Sequence, residues 1–129
     1  MSENLWPDFI IGQALSPPSP KDVIQQAGSG LKEKTHGLVE FYVEPASIRD
    51  KKVEVKCNLY TPALGYHFPF LRAIFAIGAV YPVTLVADKM PDIVANDENE
   101  LRAALAKIFR ASSTIETIST LMSVAQQGS

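Results

Sequence analysis

Glu54-Val55-Lys56 is the segment of this chain whose residue types and spacing come nearest to a catalytic motif. On a strand, residues two apart share a face, so a carboxylate and an ammonium stand side by side. Metal-dependent nucleases of the restriction-enzyme type use a Glu-x-Lys pair of this kind, with a further acid supplied by a neighbouring strand. Glu40 or Glu44 would be that acid. Two such oxygens would hold a magnesium ion, and the lysine would help orient a water. Three residues are a short match, however, and solvent faces of strands commonly alternate Glu with Lys. No Pro-Asp element lies at a suitable spacing. Nuclease chemistry from Glu40, Glu54 and Lys56 therefore stands as the second alternative. The main reading assigns no catalytic residue and no cofactor.

A second group of side chains fits a ligand rather than a reaction. Arg72 lies among Tyr60, Tyr66, Phe70, Phe75 and Tyr81, with His67 next to Tyr66. An arginine ringed by aromatic residues can hold an anionic ligand, so Tyr66, His67, Arg72 and Tyr81 define an alternative reading as a small-ligand-binding domain. The plainer reading is a core with one arginine that reaches solvent or pairs with an acid. His36 and His67 are the only histidines, and neither has a Cys, His or Asp at metal-ligand spacing. Cys57 alternates with apolar neighbours and reads as a buried small hydrophobe, not a nucleophile. Gly28-Ser29-Gly30 lies inside a helical pattern rather than after a strand, so it is not a phosphate loop.

All of these candidates depend on one apolar stretch. Between Cys57 and Ala87, Arg72 is the only charged residue among 31. The uninterrupted apolar run Ala73–Tyr81 is far shorter than the roughly 20 residues a spanning helix needs. Short runs of Ile, Val, Phe and Tyr bounded by Gly and Pro predict strands, one near Phe68–Ile77 and the next near Val80–Ala87. Gly78-Ala79 would join them tightly, and Pro82 places the start of the second strand near itself or at a sheet edge. Upstream, Leu38–Glu44 and Val53–Tyr60 alternate apolar and polar residues, which predicts an antiparallel hairpin across a polar, turn-like Ser47–Lys52. Thr61–His67 reads as a loop.

Helices flank this sheet. Ser19-Pro20 with Asp22 predicts a helix start, and Val23, Ile24, Ala27 and Leu31 share a face. Gly28 and Gly30 weaken that helix, and Gly37 can end it. Ile93–Ala95 allows a further short strand. Asp97 with Glu100, and Ser113 with Glu116, resemble capping boxes and open two C-terminal helices. Their apolar stripes are Leu101, Leu105, Ile108 and Phe109, then Ile115, Ile118, Leu121, Met122 and Ala125. The predicted fold is α+β, with an antiparallel sheet of four to five strands and an N-terminal helix and two C-terminal helices packed on it. The predicted core contains Val39, Phe41, Val55, Leu59, Ile74, Leu85, Leu101, Leu105 and Ile118.

Residues 1–18 stand apart, with Trp6, Phe9, Ile10 and Ile11 ahead of Pro17 and Pro18. They predict an N-terminal arm, and residues 19–129 a single domain. With 129 residues, 47% of them hydrophobic, the chain is long and apolar enough to bury a core. A net charge of −2 argues against nucleic acid as a partner, and the Arg49, Lys51, Lys52 and Lys56 cluster is interleaved with Asp50 and Glu54. A single cysteine fits a cytoplasmic setting, and no membrane segment is expected.

Leu31–Glu40 (LKEKTHGLVE), Pro62-Ala63-Leu64 with Tyr66, Tyr81-Pro82-Val83, Glu100–Phe109 and Ser113-Thr114 together resemble small uncharacterised bacterial proteins, over roughly residues 20–120. The resemblance implies a compact domain of unknown function and brings no catalytic residues. The leading expectation is a non-enzymatic cytoplasmic protein-interaction or accessory protein, acting on a protein partner or as a homodimer.

Overall fold

The computed structural model of the protein describes residues 19–127, and the predicted N-terminal arm lies outside them. The elements run α1 (Pro20–Gly28), α2 (Leu31–Lys34), β1 (Glu40–Val43), β2 (Ser47–Arg49), β3 (Lys52–Thr61), β4 (Tyr66–Ala76), β5 (Val83–Ala87), β6 (Ile93–Ala95), α3 (Glu98–Arg110) and α4 (Ser112–Gln127). The strands form one antiparallel sheet in the order β1-β3-β4-β5-β6, with β2 also paired to β3. The α+β class is as the periodicities predict.

Local chemistry accounts for most boundaries. Ser19 Oγ accepts the Asp22 N–H at 3.2 Å, and Pro20 opens α1. The helical run then breaks at Ser29-Gly30, and the shorter α2 resumes at Leu31. Thr35 closes the link from α2 to β1. Its Oγ1 donates to the Val39 carbonyl at 2.9 Å and accepts the Val39 N–H at 3.0 Å. Ser47–Arg49 is a strand rather than part of a turn, because Asp50 and Lys51 alone complete the reversal. Both take positive φ (53° and 63°), the left-handed pair that a two-residue hairpin with matching twist requires. Asp97 caps α3 by accepting the Glu100 N–H at 2.8 Å, while Glu100 reaches back to the Asn96 N–H at 2.9 Å. The reciprocal bond of the capping box thus falls one residue earlier than the motif implies. α4 starts at Ser112, which puts Ser113 inside the first turn instead of at the cap.

A register shift between Cys57 and Asn58 decides how β4 is read. Cys57 pairs with Leu71 but Asn58 pairs with Pro69, so β4 carries one extra residue, Phe70. Such a bulge lets adjacent residues face the same side, and Phe70 and Leu71 are both buried. Beyond the bulge, Leu71 and Ala73 face the helices with Val55 and Cys57. Ile74 pairs with Glu54 and Thr84 and lies on the opposite face, only partly buried. The apolar run hid this phase, so Ile74 is removed from the predicted core. Val39, Val55, Leu59, Leu85, Leu101 and Leu105 are fully buried, while Phe41 and Ile118 pack at its margin. The tight Gly78-Ala79 connection is also corrected: β4 ends at Ala76 and β5 begins at Val83, so the joint spans Ile77 to Pro82.

The helices lie on one side only. α1 packs on α3 and β1, α3 on β6 and α4, and α4 on β3. Along β5 the alternation is complete, with Val83, Leu85 and Ala87 buried and Thr84 and Val86 between them part-exposed. Among the described residues, this two-layer arrangement leaves the second sheet face without a covering helix.

Candidate functional site

The open face is formed by the polar-phase residues of β1, β3 and β4. Register brings Tyr60 opposite His67 and places Tyr42 on the neighbouring strand. The Tyr60 and His67 rings stack with centroids 4.3 Å apart, and Tyr42 meets His67 edge-on at 5.1 Å. Tyr42 is 45% exposed. Three aromatic rings thus lie on a sheet surface that none of the described helices covers. His67 was expected in a loop but sits on β4, which begins at Tyr66. The available signal was Tyr42 and Tyr60 standing at polar positions of two strands; their meeting with His67 needs the β3–β4 register.

Further along the same face lies a charged strip. Arg72 Nη1 donates to Glu54 Oε2 at 3.0 Å, and Lys56 Nζ stands 4.0 Å from Glu54 Oε1. Asn58, largely buried, donates from Nδ2 to Glu44 Oε2 at 2.9 Å. Glu44, Lys56, Asn58 and Arg72, with Pro69, Val86, Asp88 and Lys89, help line an open depression of about 600 Å³. The charges are mixed, and the guanidinium already holds a carboxylate. Its side chain is half-exposed, so neighbouring water screens it and the pair contributes little to stability.

The structure separates the predicted site residues. Of Tyr66, His67, Arg72 and Tyr81, only Arg72 lines the depression. Tyr66 opens β4 and Tyr81 lies beyond its far end, with the ends of that strand about 30 Å apart. The Tyr81 hydroxyl is buried and has no hydrogen-bond partner among the described residues, and burial, then the Glu98 and Asp97 carboxylates, push its pKa up. Adjacent strand residues point oppositely, so Tyr66 and His67 do not share a face. The nuclease set separates too. Glu40 pairs with Tyr60, six positions along β3 from Glu54, or about 20 Å. Glu44 is nearer, since its N–H donates to the Lys56 carbonyl at 2.9 Å, but its carboxylate is engaged by Asn58. Among the described residues, no three His, Cys, Asp or Glu side chains come together to hold a metal ion.

Cys57 is on the helix side of β3 and 1% exposed. Burial, reinforced by the Glu44 charge, raises its thiol from an ordinary 9.0 to about 12. The native thiol should therefore resist iodoacetamide at pH 8 and react at the rate of global or local opening. Because the folded pKa is raised, stability should hold below about pH 9 and fall as pH rises toward 12, as the unfolded thiol ionises first. Mass spectrometry of alkylated protein with and without denaturant tests the first point. Rapid alkylation of the native chain would contradict the buried placement.

Comparison with known proteins supplies no relative: no family model, curated protein or solved structure matches the chain. Among the described residues, no helix is long and apolar enough to cross a membrane.

Proposed function

We propose that this protein is a non-enzymatic interaction protein that forms a homodimer through the open face of its sheet. The observation carrying the reading is the Tyr42–Tyr60–His67 cluster, placed on the side the helices leave uncovered. Tyr is enriched at interfaces because it offers a large apolar body with a polar tip. The face is also self-complementary in charge. Glu40, Glu44 and Glu54 share it with Lys56 and Arg72, so a two-fold axis can set acids of one copy against bases of the other. Symmetric dimers are the commonest closed assembly. A cytoplasmic, accessory role and kinship with small bacterial proteins belong to the same proposal, supported by the single cysteine and the sequence motifs.

Tyr42→Asp is the direct test. The variant loses the ring contacts with Tyr60 and His67 and adds a carboxylate between Glu40 and Glu44, so the thermal midpoint should fall modestly while the chain stays folded, because Tyr42 lies outside the core. In the dimer it would bury a carboxylate among aromatic rings. Sedimentation equilibrium should show the dimer dissociation constant rise about tenfold or more, the scale of losing an interface anchor. An unchanged constant would take the aromatic cluster out of the interface.

A further inference from the structure

On the helix side, between the α1–α2 joint, the sheet and α4, lies an apolar cavity of about 260 Å³. Its walls include Leu31, Phe41, Leu59, Phe70, Phe109 and Ile118. For scale of volume only, an enclosed engineered apolar cavity of about 150 Å³ accepts benzene; this pocket is partly open to solvent. One charge stands at its rim: Lys34, exposed, with no ion-pair partner among the described residues. Lysine lays its hydrocarbon stem along apolar surface and keeps its ammonium in water.

The two glycines at the joint differ in a telling way. Gly28 is demanded by packing, because a Cβ there would run into the Phe41 ring. Gly30 is not. Its φ of −80° suits any residue, and a Cβ would meet nothing within 4 Å. Gly30 lines the cavity, and the space where its side chain would stand is empty. We propose that this cavity binds a small aromatic carboxylate, with the ring system among the phenylalanines and the carboxylate at the Lys34 ammonium. This site lies across the sheet from the dimer face, so it stands or falls independently of the assembly.

The test uses the full chain, 2-naphthoate, and its neutral counterpart 2-naphthylmethanol, followed by amide and side-chain NMR. Expected is saturable binding of naphthoate at about 0.1–1 mM, with shifts centred on Leu31, Phe41 and Ile118. Lys34→Ala should weaken naphthoate about two- to fivefold, the range for an exposed charge pair, and leave the alcohol unchanged. Gly30→Trp should abolish both by closing the mouth; Ile118→Phe, which fills the far wall, serves if that variant does not fold. No saturation by about 10 mM, equal loss of both ligands in Lys34→Ala, or undiminished binding in the filled variant would overturn the proposal. So would Trp6 resonances in contact with Phe41 and Ile118 in the free protein, which would assign the cavity to the chain's own N-terminal segment.

Discussion

Leu105→Ala should lower unfolding free energy by about 2–5 kcal/mol, with a matching fall in the denaturant midpoint. Leu105 is 0% exposed, on the face of α3 that also buries Leu101, Ala104 and Ile108. α3 is the central helix of the covering layer, in contact with α1, α4 and β6. Truncation there removes apolar atoms and leaves a void that three neighbours must close, and cavities that cannot collapse give the larger losses. The slope of free energy against denaturant should stay constant, since the surface exposed on unfolding hardly changes. An unmoved midpoint would mean that α3 does not pack on the sheet.

Gly28→Ala should destabilise, although helix propensity alone argues the other way. In an exposed helix interior, Gly to Ala gains about 0.5–1 kcal/mol. At Gly28 the added Cβ enters the Phe41 ring, and that ring is held edge-on against Phe109 with centroids 5.4 Å apart. A wedged aromatic ring moves only with its neighbours, so overpacking costs about 1–3 kcal/mol and outweighs the propensity gain. The control is Phe41→Leu. In that background the Gly28→Ala penalty should shrink, giving a coupling energy between the two positions. A gain in stability from Gly28→Ala alone would place α1 further from β1 than described.

Helix α3 and the alternating strands β1 and β3 are readable in the sequence, because each buries one face and its period states which. Helices α1 and α4 are readable only in part, since Gly28 rather than Ala27 is buried in α1, and in α4 Thr114 is buried while Ile115, on the predicted apolar stripe, is 54% exposed. The cap at Ser19 was readable from residue types alone. Ile74 was misplaced because β4 is apolar on both phases around Phe70 and Leu71, so alternation carries no phase there, and only the β3–β4 register reveals the bulge. In the sequence Ser47–Arg49 looks like part of a turn because it is short and polar-flanked, and a strand that short shows itself only by pairing. The site was less legible than the fold. Tyr42, Tyr60 and His67 come from three strands, and their meeting depends on a register set by turns at Asp50-Lys51 and across Thr61–Tyr66. Arg72 follows the plainer expectation of an arginine that reaches solvent or pairs with an acid: it holds Glu54 on the open face, while its apolar neighbours Leu71 and Ala73 point to the other. The 260 Å³ cavity left only one trace in the sequence, the unexplained Gly30.

Light scattering on the full chain at high micromolar concentration tests the central claim most directly. Self-association through the open sheet face predicts a mass twice the 14.1 kDa of one chain; the two-chain stoichiometry should persist when residues 1–18 are removed and fall toward one chain in Tyr42→Asp. A mass of one chain for the unaltered protein at that concentration would contradict the account.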